Sequence, residues 1–159
     1  MSQQEATRPF CYGKIHRAKV TGADLHYNGS ITIDPVLLRA AGIYPYTRVD
    51  VVNINKGGRL QTYAIEGDEN SGQICLNGAA AHLFEKDDLC IIIAYEDAPV
   101  SQLEGREHRA VLVDADAGNK IASIRVLKTP ALNDLGNASR HAEDFNEELA
   151  VARGENVTA

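Results

Sequence analysis

Side chains able to do chemistry crowd into one stretch: Lys14, His16, Arg17, Lys19, Thr21, Asp24, His26, Tyr27, Asn28 and Ser30, closing on Asn28-Gly29-Ser30. A serine hydroxyl can act as a nucleophile, but hydrolase chemistry requires a base positioned beside it. No G-x-S-x-G elbow, H-E-x-x-H pair, P-loop or G-x-G-x-x-G turn occurs anywhere in the chain. The five histidines (His16, His26, His82, His108 and His141) show no paired metal-ligand spacing. Cys11, Cys75 and Cys90 lack C-x-x-C spacing and read as small core residues in a reduced compartment, Cys90 most clearly. As local structure, Asn28-Gly29-Ser30 reads as a tight turn between two strands, because glycine tolerates positive φ. It also fits the glycosylation pattern formally, which a cytoplasmic chain makes irrelevant.

These groups must be held by a scaffold of 159 residues, one domain's worth. With 44% hydrophobic and 24% charged residues, a chain of this size buries about two-thirds of its unfolded surface. Sixteen basic against 22 acidic residues give a net charge of −6, which argues against a nucleic-acid partner. No apolar run reaches membrane-spanning length, and residues 1–7 lack the basic and apolar segments of a signal peptide, so a cytoplasmic location is expected.

Residues 1–9 read as a flexible N-terminus, 10–130 as one compact domain, and 131–159 as a flexible tail too thin in apolar residues to offset ordering entropy. Within the tail, 140–153 is the one stretch with the makings of a short amphipathic helix. Strands are expected at 48–54 (RVDVVNI) and 59–65 (RLQTYAI), joined by the Lys56-Gly57-Gly58 turn, and at 74–76, 89–95, 110–113 and 121–126. Residues 89–95 (LCIIIAY), apolar on both faces, read as a central strand. Asp34 as N-cap, Pro35 at the first helical position and Gly42 at the end delimit a short helix. Residues 77–84 read as a capped helical turn or two. The class is mainly β with short helices, a small barrel.

The run K-I-H-R-A-K-V-T-x-A-D-L-H-Y-x-G-S resembles aspartate 1-decarboxylase, a pyruvoyl-dependent family that supplies β-alanine for pantothenate synthesis. Residues 34–42, 58–65 and 77–82 agree in order and spacing, so the likeness spans roughly residues 13–126. Gly22 departs from the pattern, where a larger residue is expected, and the chain beyond Thr129 is longer. The resemblance implies a double-psi β-barrel, a homotetramer of cleaved α and β protomers with sites between subunits, and room for a maturation factor.

It also implies the chemistry. Decarboxylating an α-amino acid leaves electrons on the α-carbon and needs an electron sink. The family makes that sink, a pyruvoyl group, from its own backbone, with no pyridoxal phosphate and no metal. Ser30 Oγ would attack the Gly29 carbonyl, with Thr62 bonding the developing oxyanion. Elimination and hydration would then leave a pyruvoyl group at position 30, ready to form a Schiff base with L-aspartate. Gly29 is expected to permit the backbone geometry this demands. Tyr63 matches the proton donor, a phenol ordinarily titrating near ~10. Arg59, a planar fork, and Lys14 match the cations that meet the two substrate carboxylates. Gly78, Ala79 and Ala80 match a substrate-binding turn, and His16, His26, Tyr27 and Asn77 stand behind these groups. Thr62 and Tyr63 should face opposite sides of a regular strand. One site can use both only at a strand end, a bulge or a subunit boundary. A barrel that never cuts itself is the main rival, and would run as an intact 17.2 kDa chain.

Overall fold

A computed structural model describes residues 3–136. The expectations for 137–159, including the helix at 140–153, lie outside the described residues. Nine strands carry most of the structure: β1 (Thr7–Lys19), β2 (Gly22–Asp24), β3 (Ser30–Ile33), β4 (Arg48–Asn53), β5 (Arg59–Glu66), β6 (Ile74–Asn77), β7 (Leu89–Pro99), β8 (Glu107–Asp114) and β9 (Lys120–Lys128). They join into one sheet in the order β2-β6-β3-β5-β4-β7-β1-β8-β9.

Twice, a strand from early in the chain lies between two later, consecutive ones. β3 runs parallel to β5 and antiparallel to β6, and β1 runs antiparallel to β7 and parallel to β8. This repeated insertion is the double-psi arrangement implied by the resemblance. The sheet wraps a main apolar core drawn from β1, β3 to β8 and the α-helix at 35–41, with Ile15, Ile31, Ile33, Leu76, Ile92 and Val111 fully buried. Among the described residues no helix is long and apolar enough to cross a membrane.

The helix α1 (Pro35–Ala41) has the ends its sequence dictates. Asp34 accepts from the Val36 N–H at 2.9 Å, and Gly42 closes it in the left-handed region at φ 73°. The buried Asp34 carboxylate also accepts from the Asn70 and Gly72 N–H groups, tying the 68–72 loop to the start of the helix. The β4–β5 hairpin turns where expected. Gly57 adopts φ 78°, the Asn53 N–H donates to the Gly58 carbonyl, and Asn53 Oδ1 accepts from the Asn55 and Lys56 N–H groups.

Three expectations need correction. β1 begins at Thr7, whose partner is Pro99, so residues 7–9 belong to the sheet rather than to a frayed end. Asn28-Gly29-Ser30 is not a hairpin turn, because β2 and β3 do not pair with each other; both flank β6. The reversal sits earlier, where Asp24 Oδ1 accepts from the His26 N–H and the Asp24 carbonyl from the Tyr27 N–H. Finally, 77–84 forms a 3-10 turn over Gly78–His82 that Asn77 does not cap with its side chain.

Candidate active site

Alternation along two short strands builds the centre of the site. On β3 (SITI) and β6 (ICLN), Ile31, Ile33, Ile74 and Leu76 face the core with no exposure. Period-two geometry sends Ser30, Thr32, Cys75 and Asn77 to the opposite face. The register makes Ser30 and Asn77 direct partners, and Thr32 and Cys75 the next pair. Ser30 is only 1% exposed. Its Oγ donates to the Asn28 carbonyl at 3.1 Å and accepts from Asn77 Nδ2 at 3.0 Å. The Asn77 side chain, read from sequence as standing behind the site, therefore touches the serine directly.

Gly78 adopts φ 66°, and a Cβ there would lie 2.9 Å from both Cα and N of Gly29 and 3.0 Å from the Tyr27 carbonyl oxygen. The backbone before Ser30 thus rests on Gly78 with no room for a side chain. Gly29 itself is exposed, lies outside the positive-φ region, and has open space where a Cβ would project. The unusual backbone expected at Gly29 is therefore found across the strand gap, at Gly78.

A cleft of about 490 Å³ opens over Ser30, lined also by Tyr27, Asn28, Tyr46, Tyr63 and Glu66 among others. Tyr63 enters it because β5 runs beside β3 with Ala64 opposite Ile31, which sets Tyr63 level with Ser30. Among the described residues, Glu66 is the only charged one in the lining. Two of these lining residues, Pro45 and Tyr46, were not legible as site residues. Tyr46 sits at φ 67° and is 81% exposed, and no local motif announces it.

The predicted cations do not line this cleft. Arg59 stands four residues before Tyr63, about 13 Å along an extended strand. There its Nε lies 4.0 Å from the Asp50 carboxylate. Lys14 is half-buried on β1, opposite Ile93 and Ala110, and burial lowers its pKa. Thr62 faces away from Tyr63, opposite Val49 of β4. β5 carries no register shift, and Tyr63 lies three residues from its end. A bulge or strand end therefore cannot bring both side chains to one face within this chain.

Of the remaining candidates, Tyr27 lines the cleft, while His26 is exposed on the preceding turn. Ala79 is exposed and Ala80 packs on the core. His16 sits on β1, where burial first, then the Lys14 and Arg17 charges, push its pKa down to about 4. Cys75, expected as a core residue, is half-buried on the polar face. Cys90 is the core cysteine, its thiol pushed up to about 12 by burial. A larger cleft of about 830 Å³ is lined by Tyr12, Arg48, Asp50, Tyr95, Glu96 and Asp97 among others. It contains none of the sequence-derived candidates. Among the described residues no cluster of His, Cys, Asp or Glu is arranged to hold a metal ion.

The sequence profile described as aspartate decarboxylase matches residues 6–122. The chain belongs to the aspartate decarboxylase family. It is 51% identical over 118 residues to the aspartate 1-decarboxylase of Neisseria meningitidis, covering 74% of this chain and 91% of that protein. The aspartate 1-decarboxylase of Salinibacter ruber is 44% identical over 141 residues, 89% of this chain and 92% of the relative. That of Syntrophotalea carbinolica is 45% identical over 131 residues, 82% and 98% of the two chains. The matched stretch thus covers β1 to β8 and the first three residues of β9, and with them every residue of the Ser30 cleft.

Proposed function

We propose that the chain cuts its own backbone between Gly29 and Ser30, converts Ser30 into a pyruvoyl group, and uses it to release carbon dioxide from L-aspartate, yielding β-alanine for pantothenate synthesis. The observation that carries this reading is the buried Ser30 hydroxyl, gripped by Asn77 and the Asn28 carbonyl, in a chain of this family. The tight rest of Gly29 on Gly78 is a cradle for the scissile segment.

The pyruvoyl group supplies the electron sink that an amino-acid decarboxylation needs. The chain's own residues do the rest. Ser30 Oγ is the internal nucleophile: it bonds to the Gly29 carbonyl carbon, the Gly29–Ser30 C–N bond breaks, and the hydroxyl proton ends on the freed Ser30 nitrogen, while the Asn77 amide holds the oxygen in place. Tyr63, in the same cleft, holds a proton on its phenol oxygen and delivers it to the substrate α-carbon. A dicarboxylate requires cations, and among the described residues no lysine or arginine lines this cleft. We therefore assign Arg59, Lys14 and Thr62 to a neighbouring copy's cleft in a homotetramer of cut protomers. Arg59 and Lys14 there meet the two carboxylates, and Thr62 meets the Gly29 oxyanion. The small side chains of Gly78, Ala79 and Ala80 leave their backbone N–H groups open to a carboxylate. His16 and His26 stay outside the contact shell in this arrangement. The reaction is assigned to the cytoplasm, in keeping with three free cysteines. Residues 7–130 form the catalytic unit, and residues 131–159 are dispensable for it.

Intact-mass measurement tests the reading. The expected result is two fragments, residues 1–29 and residues 30–159, the latter lacking its amino group. Ser30→Ala should give one uncut chain without decarboxylase activity. Decarboxylation by an uncut chain would sink the proposal. Co-expressing Arg59→Ala with Tyr63→Phe tests the shared site, because mixed tetramers should recover activity that each variant lacks alone.

A further inference from the structure

The Asn77 amide makes three side-chain hydrogen bonds, and together they dictate which way round it sits. Ser30 Oγ has one proton, and it is committed to the Asn28 carbonyl at 3.1 Å. Toward Asn77 the hydroxyl can therefore only accept, so Asn77 must present Nδ2. Presenting Oδ1 instead would set two acceptors against each other, at a residue only 3% exposed.

Two further side chains hold the amide, and one of them, Cys75, favours this orientation. Thr32 Oγ1 takes the second Nδ2 proton at 2.8 Å, and the Cys75 thiol donates to Oδ1 at 3.4 Å. Both come from the same strand face as Ser30 and Asn77, one cross-strand pair further along. An amide flipped end for end would lose its bonds to Ser30 and from Cys75, while the Thr32 hydroxyl can turn and donate to Oδ1 instead. The flipped Oδ1 would face the lone pairs of Ser30 Oγ, and the NH₂ would face a thiol, a weak acceptor.

We infer that Thr32 and Cys75 are positioning residues for self-cleavage: Thr32 anchors the Asn77 amide and Cys75 sets which way round it sits, so that Nδ2 holds the Ser30 hydroxyl in place as it attacks Gly29. The inference rests on the assignment of Ser30 as the internal nucleophile. Neither residue touches the Gly29–Ser30 bond in this account; each acts through Asn77.

The test is the rate at which the purified full-length chain is cut between residues 29 and 30, followed by intact mass, alone and with soluble cell extract. Thr32→Val keeps the shape and removes the acceptor, and Thr32→Ser restores it. Cys75→Ala removes the donor, and Cys75→Ser restores it. Losing one such bond should slow cleavage about 5- to 30-fold, while each serine variant cuts within about threefold of the parent. Thermal melting is measured on the same samples. If Thr32→Val melts early, the cysteine pair is read by itself. The valine and alanine variants cutting at the parent rate would overturn the inference. So would slow cutting by the serine variants as well as the apolar ones, which marks a packing role. A parent chain left uncut under both conditions removes the function proposed above along with this inference, whereas a cut parent with unaffected variants removes only the inference.

Discussion

Gly78→Ala gives the sharpest energetic test of how the scissile segment is held. An alanine at φ 66° enters the left-handed region, which costs an L-residue about 1–2 kcal/mol. The new methyl meets Gly29 Cα and N at 2.9 Å and the Tyr27 carbonyl at 3.0 Å, all backbone atoms that cannot rotate away. Overpacking of this kind adds about 1–3 kcal/mol. The stiffer unfolded chain returns about 0.4–1 kcal/mol, leaving a net loss of about 1–5 kcal/mol. The assay is thermal unfolding in a Ser30→Ala background, where the segment stays whole, at fixed protein concentration. At roughly 2–4 °C per kcal/mol for a chain of this length, the midpoint should fall by about 2–20 °C. Gly58→Ala is the control. Its added methyl would find only Leu83 Cβ, at 3.9 Å, and the midpoint should move by less than about 3 °C. A Gly78→Ala protein melting with its parent would show that Gly29 does not rest on residue 78, and the cradle argument would fail.

Tyr63→Phe should leave the chain cut at residue 29 but lower β-alanine production about 10²- to 10⁴-fold, the range for losing a positioned proton donor; equal loss of cleavage would place Tyr63 in maturation instead. His16 makes stability pH-dependent. Its native pKa is depressed to about 4 from 6.5, so between those values the unfolded chain binds more protons and stability falls as pH falls. His16→Gln should flatten that part of a pH titration of the denaturant midpoint, leaving the limb above pH 6.5 unchanged. Asp34→Asn replaces an oxygen that accepts from buried N–H groups with an amide bearing its own N–H. It should cost about 1–3 kcal/mol in urea unfolding, and an unchanged midpoint would mean the 68–72 loop is held by other contacts.

Much of the scaffold was legible because local signals and tertiary structure agreed. Asp34, Pro35 and Gly42 each do at the ends of α1 what their chemistry prescribes, and Gly57 turns the β4–β5 hairpin. β1 was not legible as a strand. Its sequence TRPFCYGKIHRAK lacks clean alternation, because the strand is interior and register shifts interrupt it between Cys11 and Gly13 and between His16 and Ala18. Arg17 sits there at φ 62°. Asn77 reads as a helix cap because asparagine before a glycine turn ordinarily caps. Tertiary pairing with β3 claims its side chain for Ser30 and Thr32 instead. The polar face was written in plain alternation, S-I-T-I against I-C-L-N, but four-residue strands carry too little periodicity to be paired from sequence alone.

Severing the chain before β3 would leave the first 29 residues attached by pairing and packing only. Their main anchor is β1, threaded between β7 and β8, with hydrogen-bonded neighbours along both edges. An edge strand could peel off and exchange with another molecule; an interior one leaves only when the sheet on one side of it opens. The nicked protein should therefore hold its short piece through purification and dilution. Once denatured, it must regain that piece by collision between two separate polypeptides, so its recovery slows as the solution is thinned.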